Sequence, residues 1–257
     1  KPNDTENPWT HFKLAELAGS KDRDDRRFFY QPLVARTFFS KVTKTITNNG
    51  SYTTRREVPY EAIIIGSGNR ASPLEKTVNN QLYVIRDENT VTRSYQGDEI
   101  PDTIYHSQLM QVKDEPFYQA TSKQAFYEKE AELGALKGWK YQLRSGEKSL
   151  AKATVVGGIA YFTSFTPHLD TTIDQCSVGS GGGSLYALHL HYGARVFQKI
   201  RYDTEREVPS TPVILYHKES ETEGGYKRST GRLNIELKGV DSTGGKGPDG
   251  SKPSEPF

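Results

Sequence analysis

Short segments rich in β-branched and aromatic residues, punctuated by turn residues, constrain this chain most strongly to a sheet fold. Several of these segments are β-branched or aromatic runs of 5 to 9 residues, which are typical of strands, and the content of 15 Tyr and 11 Phe suits sheets with wide, half-exposed faces. The segments are QPLVARTFFSKVTKTIT (31–47), YEAIIIGSG (60–68), NQLYVIRDE (80–88), KATVVGGIAYFTSFTP (152–167), SLYALHLHY (184–192), ARVFQKIRYD (194–203), STPVILYHKE (210–219) and RLNIELKG (232–239). We therefore expect a mostly β architecture.

One segment departs from this pattern and predicts an amphipathic helix from Thr121 to Lys137. Its apolar residues recur near helical spacing, and Thr121 with Gln124 occupies the positions of a capping box. Gly134 or Gly138 is a candidate for the helix end, and the aromatic pair Phe126 and Tyr127 is expected to fix the helix to a sheet.

A repeated unit suggests how the strands are arranged. Residues 60–91 and 152–196 each contain a strand ending in glycine, a polar spacer, and Leu-Tyr followed by an alternating apolar strand. The matched positions are Leu82 with Leu185, Tyr83 with Tyr186, and Ile85 with Leu188. Repetition of this kind is typical of β-propeller blades, so we predict an all-β propeller, or part of one, with one inserted helix.

The composition argues against some classes of partner and indicates where the folded domain begins and ends. The net charge of +2 gives no electrostatic case for nucleic acid, and no run of 18 or more apolar residues predicts a transmembrane helix. Cys176 is the single cysteine, so the chain has no internal disulfide and no cysteine-built zinc site. We expect a loosely held arm at 1–27, propeller blades at 28–240, and a disordered Gly/Pro/Ser-rich tail at 241–257.

The glycine-rich segment 179–183 raises the question of a phosphate-binding loop. Such a loop requires a helix after it, whereas the residues that follow 183 predict a strand. The segment is also out of frame for a G-x-S-x-G nucleophile elbow. We interpret it as the connection between two strands of one blade, and no catalytic residue is assigned anywhere in the chain.

Three groups of residues are candidates for metal ligands. His189 and His191 are two apart on one side of a strand, but no third ligand is near in sequence, so we expect them on the solvated side while Leu188 and Leu190 pack inward. Two acidic groups lack calcium-loop spacing and are interpreted as surface turns. They are Asp22, Asp24 and Asp25, and Asp170 with Asp174 and the adjacent Thr171 and Thr172. No metal-binding or cofactor-binding residue is assigned.

Three ordered motifs resemble a known family. They are a GSG-x-R strand end before N-x-LY-x-I-x-D, a GW-x-x-x-L-x-x-GEK-x-L segment, and F-T-x-F-x-P followed by C-S, glycines and LYAL. Across residues 28–197 the chain is similar to the C-terminal propeller of PilY/PilC-like type IV pilus tip adhesins and biogenesis factors of Gram-negative bacteria. LYAL repeats also occur in quinoprotein dehydrogenases, whose propeller has a similar architecture.

The resemblance implies a function and a location. It implies a secreted, envelope- or pilus-associated protein, without enzyme activity, that promotes pilus assembly by opposing retraction and contacts host or abiotic surfaces. Its implied partners are major or minor pilins. Loops 96–121, 166–184 and 218–231 are the expected contact regions.

The resemblance also implies a longer protein. A seven-bladed, quinoprotein-dehydrogenase-like ring needs more blades than this length supplies, so we expect the chain to be the C-terminal part, with any calcium loop upstream. The integrin-type RGD of some members is not matched, since the nearest tripeptide is Gln96-Gly97-Asp98. In relatives the cysteine corresponding to Cys176 can bond to another, but this chain has no second one.

Two alternatives remain open from the sequence. The first is a quinone-cofactor dehydrogenase, which would place a tryptophan platform and calcium on the propeller axis. Trp9 and Trp139 are the only candidates, and Trp139 fits better as a packing residue. The second is an extracellular scaffold propeller with no connection to pili.

Overall fold

The computed structural model describes residues 10–48, 50–91, 94–95, 97–167, 181–204, 210–223 and 226–237. In chain order the strands are β1 (Ala15–Glu16), β2 (Leu33–Thr47), β3 (Gly50–Gly66), β4 (Gln81–Asp87), β5 (Ile104–Tyr105), β6 (Met110–Gln111), β7 (Gly138–Gln142), β8 (Thr154–Val156), β9 (Ile159–Pro167), β10 (Gly181–His189), β11 (Arg201–Asp203), β12 (Pro212–Glu223) and β13 (Tyr226–Leu237), and the helix α1 is Lys123–Ala135. Short 3₁₀ turns occupy Asp22–Asp24, Gly97–Glu99 and His106–Gln108. No helix in these ranges combines the length and the apolarity needed to cross a membrane.

The largest sheet is a curled, mixed sheet of five strands in the order β2-β3-β4-β7-β6. Its first three pairings are antiparallel, whereas β6 pairs with β7 in parallel. Strands β2 and β3 form a long hairpin, but β4 pairs with β3 only over Glu61–Gly66. The distal half of this hairpin therefore extends beyond the sheet.

A second sheet is antiparallel and has the order β11-β10-β9-β8. The chain enters it through residue 148, whose backbone exchanges hydrogen bonds of 2.9 and 2.8 Å with Phe165 on β9. Strands β12 and β13 form a separate antiparallel hairpin. Thr154 and Thr163 of the second sheet donate to the carbonyls of Pro212 and Ser210 and connect the two.

The main core lies between the two larger sheets. Leu82, Val84 and Trp139 of the five-stranded sheet and Phe162 and Tyr186 of the second sheet belong to one buried cluster, and each is at most 1% exposed. The opposite faces of the same strands are also covered, by a cluster that includes Tyr83 and Ile85 and by another that includes Leu185 and Ala187. Strands β4 and β10 are consequently apolar on both faces.

The described part of the predicted N-terminal arm packs against the sheet. Strand β1 pairs in parallel with β5, and Leu17 is 8% exposed in the cluster on the outer face of β4. Arg26 is buried and donates to the carbonyls of Leu17 and Asn79. Residues 14–26 are thus held in place, contrary to the expectation of a loose arm over that range.

Helix α1 confirms the predicted helix with a different cap. The N-cap is Ser122, whose hydroxyl accepts from the backbone N–H of Ala125 at 3.1 Å, and not Thr121. Phe126 is buried as expected, and Gly134 lies inside the helix rather than at its end. A Cβ at Gly134 would lie 2.6 Å from the carbonyl oxygen of Val42, so glycine permits the helix to approach the edge strand β2 closely.

The predicted propeller is wrong. The large sheet has five strands and includes a parallel pair, and the other sheets have four, two and two strands, so the described part of the chain contains no set of blades. The Leu-Tyr repeat misled because β4 and β10 are each sandwiched between two layers. Double burial produces the same apolar pattern that stacked blades would produce.

The glycine segment is also corrected. Gly181, Gly182 and Gly183 lie within β10, paired with Phe165–Pro167 of β9, and do not form a connecting loop. A Cβ on Gly181 would overlap the ring of Phe165, which explains a glycine in the strand. Gly179 and Ser180 lie outside the described residues, and a strand follows the segment, as predicted.

Candidate functional site

The β2–β3 hairpin projects a ribbon that we call the arm, residues 43–57. Its residues are exposed apart from half-exposed Thr45 and residue 49, which is not described. Ile46 is 79% exposed and Tyr52 54% exposed. A two-stranded ribbon without a third strand has only marginal stability in water. An extended, exposed arm of this kind is therefore a candidate for binding a partner.

The arm is basic. It carries Lys44, Arg55 and Arg56 against one carboxylate, Glu57, in a chain that is otherwise nearly balanced. Lys44 and Arg56 form no ion pair within the described ranges. Arg55 donates to buried Glu130 of α1, with Nη1 3.2 Å from Oε1, and this contact raises the pKa of Arg55.

Helix α1 braces the base of the arm. Glu130 also accepts from the hydroxyl of Tyr192 at 2.8 Å, which connects the helix to the turn after β10. Lys41, just before the arm, pairs with Glu88 at 3.2 Å. Glu130 and Glu88 are therefore already engaged, and they do not neutralise Lys44 or Arg56.

A second feature is a buried polar cluster built from the motifs that the sequence singled out. Ser149 N donates to Ser67 O at 3.0 Å, and Ser67 Oγ donates to Asn80 Oδ1 at 3.1 Å. Asn80 Nδ2 donates to the carbonyl of Glu147 at 3.2 Å, and Tyr186 OH donates to Glu147 Oε1 at 2.9 Å. The GSG, N-x-LY, GEK and LYAL segments thus meet at Glu147.

We call Glu147 with Ser164, Tyr186 and Arg201 the Glu147 network. Glu147 is fully buried and accepts from Ser164 Oγ, Tyr186 OH and the backbone N–H of Arg144. Arg201 Nε lies 3.5 Å from Oε1. Burial, together with the negative charge of Glu147, raises the pKa of Tyr186, so this hydroxyl stays protonated and continues to donate.

A polar cleft of about 330 Å³ has Asn80, which donates to the carbonyl of Glu147, in its lining. It is lined in part by the predicted acidic turn, with Asp22, Asp25 and Arg27, and by Glu75. Asp25 pairs with Arg27 at 2.9 Å, and Glu75 Oε1 accepts from Val78 N at 3.0 Å. Within the ranges given above, no three His, Cys, Asp or Glu side chains are placed to hold a metal ion. We assign the cleft no ligand.

The two predicted histidines come together, but not on the solvated side. The imidazole centroids of His189 and His191 are 5.4 Å apart, and His189 Nδ1 accepts from the backbone N–H of His191 at 3.2 Å. The ring of His191 pairs with the hydroxyl of Tyr60 at 2.8 Å. Tyr192 packs beside both imidazoles, and Phe39 packs beside His191. The expected solvated position is therefore wrong, whereas Leu188 and Leu190 are buried as predicted.

Acidification is expected to weaken the fold through this pair. Burial, with a smaller contribution from His191, lowers the pKa of His189 to about 4 from the ordinary 6.5. The unfolded chain therefore binds the proton first, and stability falls as the pH drops from 6.5 toward 4. Between about pH 7 and about pH 5, the melting temperature of wild type should fall about 2–6 °C more than that of His189→Gln.

Circular dichroism melts at the two pH values measure this difference. His11→Gln is the matched control, because His11 is exposed, and its melting temperature should follow wild type at both values. Equal losses in wild type and His189→Gln would contradict the prediction.

Several predicted positions play other roles or lie outside the structure. Trp139 is fully buried, donates from Nε1 to the carbonyl of Leu190 at 2.9 Å, and packs on Phe162, so its interpretation as a packing residue is confirmed. The positions that lie outside the described residues are Trp9, Gln96, Asp170, Thr171, Thr172, Asp174, Cys176 and the tail 241–257.

The sequence did not predict the arm or the Glu147 network. The arm had a recognisable signal, Asn49-Gly50 between two Thr-rich runs, which is a strong short-range indication of a hairpin. The Glu147 network had none, because its members are far apart in sequence.

Comparison with known proteins adds no relative. No protein-family model, no curated protein and no solved structure matches this chain.

Proposed function

We propose that this chain is a non-enzymatic binding module of a type IV pilus system. In this proposal it acts at the pilus tip or cell envelope of a Gram-negative bacterium, promotes assembly by opposing retraction, and contacts pilins and host or abiotic surfaces. The proposal rests on the ordered motifs of residues 28–197 and not on the propeller expected from them, which the described residues do not form.

The observation that carries the proposal is the convergence of those motifs on Glu147. Short motifs that match a family by chance have no reason to lie together. Here segments separated by up to about a hundred residues are joined by consecutive hydrogen bonds, from Ser149 through Ser67 and Asn80 to Glu147 and Tyr186. They behave as one structural pattern, which supports treating the resemblance as a single signal.

The exposed arm supports the binding part of the proposal. Large exposed side chains and open strand edges are features of surfaces that contact other proteins. The dehydrogenase alternative lacks such support. Trp139 is fully buried in the core and offers no face to a quinone.

Deletion of the gene in the bacterium that encodes this chain tests the proposal. We expect loss of most surface pili and of twitching, both restored by the wild-type gene. A second deletion that removes the retraction motor should restore pili without the chain, since the chain is proposed to oppose retraction. Sheared pili quantified by immunoblot and counted by electron microscopy give the measurement. Unchanged piliation and twitching in the single deletion would overturn the proposal.

A further inference from the structure

We infer that the arm binds an acidic, extended polypeptide strand, which adds to the open edge of β3. This inference rests on the function proposed above, because it names the binding surface of that module and the chemistry of its partner. It uses the backbone pairing, the charge and the side-chain order of the arm.

The edge of β3 is open along the arm. Strand β4 pairs with β3 only from Glu61 onward, and no described strand pairs with residues 50–60 on that side. At the base of the arm the edge of β2 meets α1, because Gly134 lies against the carbonyl of Val42. Pro59, which has no N–H to donate, ends the usable stretch on β3. Residues 51–58 therefore present unpaired backbone groups to an added strand.

Charge selects the partner. Lys44 and Arg56 form no ion pair among the described residues and outnumber the one carboxylate of the arm, Glu57, so an acidic strand is attracted. A second copy of the arm would bring cations against cations, which disfavours self-pairing. Arg56 is exposed on β3 itself and forms no ion pair among the residues described, so it is the cation best placed to meet an acidic side chain on the added strand.

The order of side chains along β3 predicts the spacing of the matching residues in the partner strand. Tyr52 and Arg56 are four residues apart and therefore lie on the same face of β3. An added strand that satisfies both places an apolar side chain beside Tyr52 and a carboxylate beside Arg56. The partner is thus a strand in which an apolar and an acidic residue are four apart.

A synthetic peptide tests the inference with the purified full chain. The fluorescein-labelled peptide TVTETETVT has this spacing and reads the same in both directions, so strand polarity does not matter. We expect saturable binding by fluorescence anisotropy, weakened by salt and by Lys in place of Glu in the peptide. Arg56→Glu should weaken binding about tenfold or more. Lys113→Glu, a charge reversal at an exposed lysine that forms no ion pair among the described residues, should leave binding unchanged.

Hydrogen exchange locates the peptide independently of charge. Amides within 51–58 should exchange more slowly when the peptide is saturating, and those of β12 should not change. The inference is overturned if the peptide does not bind, if Arg56→Glu binds as wild type does, if protection appears elsewhere, or if light scattering shows a dimer of the chain that Arg56→Glu abolishes. If the peptide test fails but piliation still depends on the gene, this inference is wrong and the proposed function is not contradicted. Peptide binding at the arm without any piliation defect would contradict the proposed function alone.

Discussion

Glu147→Ala should lower the free energy of unfolding by about 3–5 kcal/mol, the usual cost of removing one partner from a buried charged network. The substitution removes the acceptor of Ser164, Tyr186 and the backbone N–H of Arg144, and it leaves Arg201 without its buried partner. Because Ser164, Tyr186 and Arg201 lie on three adjacent strands of the second sheet, and Arg144 lies in the segment that follows β7 of the five-stranded sheet, the loss should affect global unfolding. Guanidinium denaturation followed by fluorescence measures it.

Glu132→Ala is the matched control for this prediction. Glu132 also accepts from a cation, Lys129 at 2.8 Å, but its side chain is 50% exposed. The expected change is within about 0.5 kcal/mol. If Glu147→Ala also falls within that range, the Glu147 network does not stabilise the fold. Glu147→Gln, which keeps the size of the side chain and one carbonyl oxygen, should fall between the two.

Trp139→Ala should also cost about 3–5 kcal/mol, because it empties the largest fully buried side chain in the described core. The indole packs on Phe162 of the second sheet with ring centroids 6.4 Å apart and donates to the carbonyl of Leu190. Its loss would open a cavity between the two sheets and leave that carbonyl without the indole N–H. The same denaturation experiment measures the effect.

Phe38→Ala is the control that separates the effect of burial on stability from the effect of losing an aromatic side chain. Phe38 is 63% exposed on β2, so its truncation should change the free energy of unfolding by no more than about 0.5 kcal/mol. Equal losses from Trp139→Ala and Phe38→Ala would contradict the assignment of the core between the sheets.

The stability predictions concern the Glu147 network and Trp139, whereas the peptide-binding test concerns the arm. The Glu147 network and Trp139 hold the sheets together, and neither is exposed enough to meet a partner. The arm contributes few buried side chains, so Arg56→Glu should change binding and leave stability nearly unchanged. A partner surface of this kind can vary without loss of the fold.

Local features of the sequence predicted the individual elements well. Apolar spacing with a polar cap before Ala125 predicted the helix that spans Lys123–Ala135, and the cap was misplaced by one residue because Ser122 and Thr121 are chemically alike. The LYVIRD and LYALH runs both became strands, at β4 and β10. Strand β3 was predicted only in part, since exposed Thr and Arg in 50–57 give no apolar alternation.

The environment of side chains was predicted poorly wherever a distant segment decides it. His189 follows Leu188 in a simple alternation that favours solvent for the histidine, yet the ring of Tyr192 stacks on it. Gly181–Gly183 resembled a loop, but the ring of Phe165 on the neighbouring strand occupies the space that a Cβ would need. Neither neighbour is indicated by the sequence around the residue.

The amino-acid sequence alone determined that the chain is mostly β with one helix, where most of those elements lie, and that its Leu-Tyr strands are buried. Only the tertiary structure decided that these strands form a curled mixed sheet packed on a four-stranded one, that the β2–β3 arm extends beyond the sheet, and that Glu147 joins segments from all three motifs. The physical reason is the distance along the sequence over which each kind of interaction acts. Turn chemistry and the alternation of side chains act over a few residues, whereas the neighbour of each face is set by packing between residues that are far apart in the chain.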